Sequence, residues 1–348
     1  MESILVTGVL QQEAWRRNIL PPVEQVAGHI WSIPVPFPDN PMRYTLCYLI
    51  QGNGDSVLVD PGWRSPDGFV ALEAGLESTG TPMASVTGIV LTHYHPDHVG
   101  LAKDVMAANG AWLAIGKNEP RALPGDGGST LADRYERWGA PRDVIEAYRQ
   151  GADYRPQFES LQDISFTLED FDLIPLRGRN LRVVETPGHS PGHICLFDAE
   201  ANMLLSGDHV LPRISPHVSL EPGHSPDPLN DYVRSLNKVA LYAHAEVLPA
   251  HEYRFKGLPA RVRELRDLHE TRSREVREAV ETHAPGSVWD TAKHLRWKRG
   301  WDGLSGMALG FALGETAAHL AYLVASDASD ALVRGRCTEL LGTAPANP

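Results

Sequence analysis

The sequence predicts an α/β fold followed by a small, mostly helical C-terminal domain. Three observations carry this. Between residues 30 and 250, short apolar runs bounded by Gly, Pro, Asn and Asp alternate with longer amphipathic stretches, the pattern of strands and helices in alternation. Histidines and aspartates stand just past the ends of several of those runs, where α/β proteins place their chemistry. After Leu258 the texture changes to helical periodicity alone.

In order, residues 1–28 read as a peripheral lead-in. Strands are expected at 30–36, 44–51 and 56–59, with Gly52-Asn53-Gly54-Asp55 as the hairpin turn between the last two. Asp60-Pro61-Gly62 ends the third. A helix is expected near 67–78, then strands at 87–91 and 111–115. Residues 117–179 read as an inserted helical lid, with turn-rich Pro124-Gly125-Asp126-Gly127-Gly128 ahead of amphipathic stretches around 130–150. Strands return at 181–185, 193–197 and 203–205. Asp227-Pro228 supplies an N-cap and a proline at the first helical position. That helix carries Leu229, Tyr232, Val233, Leu236 and Val239 on one face. A last strand is expected at 245–248.

The tail, 258–348, is expected to be a domain of its own beside a catalytic domain at 1–257. Residues 259–281 are charged on one side and carry Val262, Leu265, Leu268, Val276 and Val280 on the other. Helices follow at 287–295 and 307–324, and 333–338 reads as a short strand, which would suit a winged-helix-like arrangement. Acids and bases roughly balance in the tail, so it reads as packing or homodimer surface rather than a DNA-binding face.

The chain has 348 residues, 42% hydrophobic and 22% charged, which provides for a real core. Its net charge of −12 disfavours nucleic acid and anionic membranes as partners. The cysteines, Cys47, Cys195 and Cys337, form no CxxC pair, so neither a thiolate zinc knuckle nor a redox motif is expected. Met1-Glu2-Ser3-Ile4-Leu5-Val6 carries an early acid and no basic stretch, so no signal peptide is expected. Nor is a transmembrane span, and a cytoplasmic location fits best.

His93-Tyr94-His95-Pro96-Asp97-His98 is the most informative stretch. It follows the apolar run 87–91 and leads into a helix start. His93 and His95 are two apart, so in an extended segment they point the same way. Asp97 and His98 come as the chain bends. Four such donors on one bend can serve two neighbouring ions, and imidazole and carboxylate suit zinc, iron and manganese. Three more strand ends display potential ligands: His189 after 181–185, Asp208 after 203–205 and His251 after 245–248.

Together, Thr92-His93-Tyr94-His95-Pro96-Asp97-His98, Thr186-Pro187-Gly188-His189, Ser206-Gly207-Asp208 and His251 resemble the ordered ligand set of the metallo-β-lactamase-fold superfamily. Val59-Asp60-Pro61-Gly62 resembles its early aspartate turn. The resemblance covers about residues 28–255 and implies an αββα sandwich with metals at one edge of two sheets. It implies two divalent ions per chain, zinc first, with iron or manganese as alternatives. His93, His95 and His189 would bind one ion, Asp97, His98 and His251 the other, and Asp208 would bridge them. Asp60 would support the site without binding metal.

Within the superfamily, His95 stands where the flavin-linked di-iron branch carries Glu. Asp208 and the expected lack of a signal peptide argue against the secreted β-lactamase branches. The chain is most similar to glyoxalase-II-like, lactonase-like and thioesterase-like hydrolases with a winged-helix-like C-terminal domain. The activity so implied is hydrolysis of a small-molecule carboxylic thioester or ester. Metal-activated hydroxide would attack the carbonyl, and Asp97 would orient it and pass its proton to the leaving group. A lactonase, a ribonuclease or other phosphodiesterase, and an iron-dependent oxygenase are the alternatives on the same fold. Around the metals, His209 either lines the pocket or points away. His217 and His224 lie in the Pro/Gly-rich loop 212–228 and are candidates to border the substrate. Tyr253 and Arg254 are candidates to contact an oxyanion or an anionic substrate group. His193 reads as structural and Tyr94 as packing.

Overall fold

The structure is a computed structural model that describes residues 3–121, 131–150, 155–221, 223, 225–326 and 330–342. The chain divides into two compact units. The first gathers Met1–Pro120, Asp153–Pro216 and Ser235–Arg263, and the second gathers Arg121–Ala152, His217–Arg234 and Glu264–Pro348.

Two sheets build the first unit. The six-stranded sheet begins with β1 (Leu5–Val6), and the seven-stranded sheet with β2 (Glu24–Ala27) and β3 (Ile30–Pro36). The latter continues through β4 (Tyr44–Gln51), β5 (Ser56–Val59), β6 (Gly88–Leu91), β7 (Trp112–Gly116) and β8 (Phe166–Leu168), in that order across the sheet. Pairing is antiparallel from β2 to β5 and parallel from β5 to β8. The remaining strands are β9 (Leu181–Glu185), β10 (Ile194–Asp198), β11 (Met203–Gly207), β12 (Glu246–Pro249) and β13 (Phe255–Lys256). Their order is β1-β13-β12-β11-β10-β9, with β11 and β12 parallel and the other pairs antiparallel.

The core lies between the sheets. Ile30, Tyr48, Ile50, Val57, Val59, Val90 and Ala114 from one sheet pack with Val183, Ile194, Leu196, Leu205 and Leu248 from the other. Each large aliphatic side chain so buried contributes about 1.5–3 kcal/mol. The opposite faces of β3 and β4 are buried as well, at Ile33, Val35, Cys47 and Leu49. Double-sided burial is why these strands read as continuous apolar runs. Helix Pro66–Ser78 packs on β3. Ser65 caps it, its hydroxyl accepting from the Gly68 amide, and Pro66 sits in its first turn.

Several expectations need correction. The segment 1–28 is not peripheral throughout, since β1 pairs with β13 and β2 with β3. The stretch 117–179 is not one helical insert. Its end returns to the sheet as β8, parallel to β7, because a three-residue strand offers too little alternation to be read. The helices Leu131–Arg137 and Arg142–Arg149 fall in the second unit. The turn at Pro124–Gly128 lies outside the described residues.

The second unit is helical. Tyr135, Trp138 and Ile145 pack with Val276, Val280, Trp289, Leu313, Ala317, Leu320, Val333 and Cys337. Residues 333–338 are not a strand but part of helix Ala331–Leu340, whose N-cap Asp330 accepts from the Leu332 and Val333 amides. Val333, Cys337 and Leu340 are its buried stripe, a helical spacing that outweighs the local β-propensity. Among the described residues after Lys256 no strand occurs, so no wing of a winged helix is seen. Helix Gly306–Ser326 is long and apolar enough to cross a membrane by composition. Here Leu309, Leu313, Ala317 and Leu320 are core residues of the helical unit.

Candidate metal centre

Four strand ends converge. Beyond β6 the chain enters Thr92-His93-Tyr94-His95, then a one-turn helix Pro96–Val99 with His95 at its N-cap and Pro96 at its first position. Beyond β9 comes Thr186-Pro187-Gly188-His189, beyond β11 Asp208, and beyond β12 Ala250-His251. At the end of β11, Gly207 has φ +49°, and a Cβ there would lie 2.7 Å from Thr92 Oγ1. Only glycine lets this strand end approach β6 closely enough to place Asp208 beside the histidines.

His93, His95 and His189 form one cluster. His93 Nε2 lies 2.9 Å from His95 Nδ1, and His189 Nε2 lies 3.2 Å from the first and 3.0 Å from the second. Adjacent ligands in a tetrahedral zinc site are about 3.3 Å apart, given bonds of about 2.05 Å. Asp97, His98 and His251 form a second cluster. His251 Nε2 is 3.2 Å from Asp97 Oδ2 and 3.3 Å from Asp208 Oδ1. His98 Nε2 is 3.7 Å from Asp208 Oδ1. Asp208 turns its other oxygen, Oδ2, to His189 Nε2 at 3.8 Å. One carboxylate thus faces both clusters.

Three of the rings, those of His93, His98 and His251, are oriented from behind. Thr92 Oγ1 lies 3.1 Å from His93 Nδ1 and donates to Asp60 Oδ2 at 2.7 Å. Asp60 also receives the Thr92 amide on Oδ1 at 2.8 Å and pairs with His98 Nδ1 at 2.9 Å. His251 Nδ1 meets the Tyr44 carbonyl at 2.9 Å. Such partners hold the opposite ring nitrogen toward a metal. His193, read as structural, receives the Asp208 amide on Nε2 at 3.2 Å and meets Thr186 Oγ1 through Nδ1 at 2.8 Å.

Electrostatics fit a cation. Burial and neighbouring histidines hold His93 and His95 well below the usual imidazole range, leaving their lone pairs free. Burial alone would lower His251, but Asp208 and Asp97 outweigh it and raise the ring to about 10. His98 moves up too, as Asp60, Asp97 and Asp208 overcome burial. Asp208 is held well below the carboxylate range, because His251 and His98 overcome burial. His98 Nε2, Asp208 Oδ1 and His251 Nε2 are buried and make no well-aligned hydrogen bond, although Asp208 Oδ1 lies 3.3 Å from His251 Nε2 and 3.7 Å from His98 Nε2. Unpaired buried polar atoms are costly. Atoms of the right chemistry converging in one place suit a metal ion.

Sequence reading missed Glu119. It is fully buried and accepts the Tyr94 amide at 2.9 Å, the Gly192 amide at 2.7 Å and the Ser190 hydroxyl. Burial pushes its carboxyl up to about 7, against the pull of those hydrogen bonds. A lone glutamate after a strand carries no sequence signal.

Three of the expected pocket residues, His209, Tyr253 and Arg254, are taken up by packing or pairing within the first unit. His209 is fully buried, hydrogen-bonded to the Ser235 backbone, and burial pushes its ring down to about 3. His217 lies 4.4 Å, ring to ring, from Phe311 within the helical unit. His224 lies outside the described residues. Tyr253 packs in the core between the sheets rather than at an oxyanion. Arg254 is spoken for by Glu246 at 2.9 Å and Glu24 at 3.4 Å. Pairing with two carboxylates outweighs exposure to an anionic substrate.

A family model described as the metallo-beta-lactamase superfamily matches residues 41–251, a span holding every residue of both clusters. The chain belongs to the metallo-beta-lactamase superfamily. A probable metallo-hydrolase, YqjP of Bacillus subtilis (strain 168), is 26% identical over 306 residues, covering 85% of this chain and 92% of that protein. The solved structure of a beta-lactamase domain protein from Burkholderia ambifaria has a TM-score of 0.76 at 26% identity, covering 92% of each chain. Thioesterase pkgB of Emericella nidulans is 23% identical over 280 residues, covering 80% of this chain and 66% of that protein. Membership of the metallo-beta-lactamase superfamily supports hydrolysis as the reaction class, and the His/Asp clusters are groups that could hold a metal ion.

Proposed function

We propose that this protein is a binuclear metal-dependent hydrolase of a carboxylic thioester or ester, acting in the cytoplasm. The observation that carries the reading is Asp208, which offers Oδ1 to His98 and His251 and Oδ2 to His189. Two divalent ions, zinc by the balance of imidazole and carboxylate ligands, are the proposed cofactors. His93, His95 and His189 would hold one, and Asp97, His98 and His251 the other.

Such ions polarise a carbonyl and lower the pKa of water toward about 7. The residues of the chain supply the rest. Asp97, kept ionised by His98 and His251 despite burial, orients the attacking water by accepting its hydrogen bond. Asp60, Thr92 and the Tyr44 carbonyl keep the rings from turning. A thioester is favoured as substrate by the relative named a thioesterase. The net charge of −12 weighs against RNA. The three cysteines are unpaired and buried, which suits a reducing compartment.

A panel of acyl-coenzyme A and acyl-glutathione thioesters, simple esters, lactones and single-stranded RNA tests this. Zinc-loaded protein should hydrolyse a thioester or ester, lose the activity to a chelator and regain it with zinc. Cleavage of RNA with no action on any thioester or ester would replace the reading.

A further inference from the structure

We propose that Glu119 is a positioning residue that clamps the His93–His95 loop to the His189 loop and thereby sets the spacing of the three-histidine cluster. The inference rests on the metal-centre reading above. Glu119 stands three residues past β7, at the start of the short helical turn Glu119–Arg121. Its Oε2 accepts the amide of Tyr94, the residue between His93 and His95. Its Oε1 accepts the amide of Gly192 and the hydroxyl of Ser190, the residue after His189. One buried carboxylate therefore fastens two loops that lie far apart in sequence. Together these loops carry three nitrogens within 3.2 Å of one another.

A second observation concerns the backbone. A Cβ on Gly116, the last residue of β7, would overlap the Gly192 carbonyl, and one on Gly192 would overlap the Glu119 amide nitrogen. The end of β7 and the loop after His189 touch through main chain alone. This brings the Glu119 carboxylate within reach of both loops at once. Burying a carboxylate is costly unless its oxygens are satisfied. Here the donors that satisfy it belong to the ligand loops, so the charge is stabilised only when the loops are in register. Ring nitrogens held within 3.2 Å of one another, in an arrangement that could ligate one ion, depend on the loops that carry them for that spacing. The clamp would keep the cluster open to a metal ion without a large rearrangement.

The test is competition of metal-free protein against a chelating dye for zinc, and titration with cobalt(II), whose visible absorption reads the three-histidine ligand set. Wild type, Glu119→Gln and Ser190→Ala are compared, with melting temperatures alongside. Glu119→Gln keeps the size but presents an amide donor to one of the N–H or O–H donors. Ser190→Ala removes one hydrogen bond of three and serves if the glutamine variant does not fold. The expected result is a weakening of about 10–100-fold at the three-histidine site for Glu119→Gln, the usual scale for an outer partner of a metal site. A smaller loss is expected for Ser190→Ala, with affinity at Asp97, His98 and His251 retained. Wild-type affinity at both sites in both variants overturns the clamp, as does an equal loss at both sites that merely follows the melting temperature. Wild-type protein that binds no metal at the histidines overturns the metal-centre reading itself, and the clamp with it.

Discussion

Asp60 meets Thr92 and His98 with both carboxylate oxygens, from a left-handed backbone position with φ +52°. That conformation is uncommon for a side-chain-bearing residue and is held here by what the carboxylate secures. In Asp60→Asn the side chain keeps one acceptor and gains a donor, so either Thr92 or His98 loses its partner. Metal affinity should fall by about 10–100-fold, measured by chelator competition, and wild-type affinity would show that Asp60 does not orient His98. Asp60 was legible because Val59-Asp60-Pro61-Gly62 resembles the early aspartate turn of the superfamily. Glu119 was not, because its importance comes from hydrogen bonds to a loop some seventy residues away, which no local pattern encodes. Tyr253 and Arg254 misled for the opposite reason. Both follow His251 in sequence, but packing takes one into the core and two carboxylates take the other.

Strands and helices were legible where a run had clear bounds. β3, β4, β5 and β9 coincide with the runs at 30–36, 44–51, 56–59 and 181–185. β1, β8 and β13 have two, three and two residues. Their pairing is decided by neighbours rather than by their own periodicity. Helices Leu258–His283 and Gly306–Ser326 meet through a buried polar contact that no motif announced. His269 Nδ1 lies 3.5 Å from His319 Nε2, and His319 Nδ1 lies 2.9 Å from Ser273 Oγ. Burial, helped by Arg272, pushes His269 down to about 4. A histidine held neutral in the fold is protonated first in the unfolded chain. Its contribution is therefore complete above pH about 6.5 and is lost as pH falls toward about 4. The loss is on the order of 3 kcal/mol. Thermal unfolding between these limits should show wild type losing stability more steeply than His269→Gln. Equal slopes would remove His269 from the account.

At the scale of the molecule, the two sheets bring β6, β9, β11 and β12 to a common end, and the ligands stand on the residues just beyond them. This was legible because each ligand sits at the same point of its own element. The division into units was less so, because the second unit draws on three separate stretches of the chain. Sequence order alone offers no sign of such assembly. The central claim is that two metal ions share Asp208. Elemental analysis of zinc-equilibrated, gel-filtered protein tests it most directly. Wild type should carry two ions per chain and Asp208→Ala no more than one, whereas a single ion in wild type, or two retained in the variant, would contradict the account.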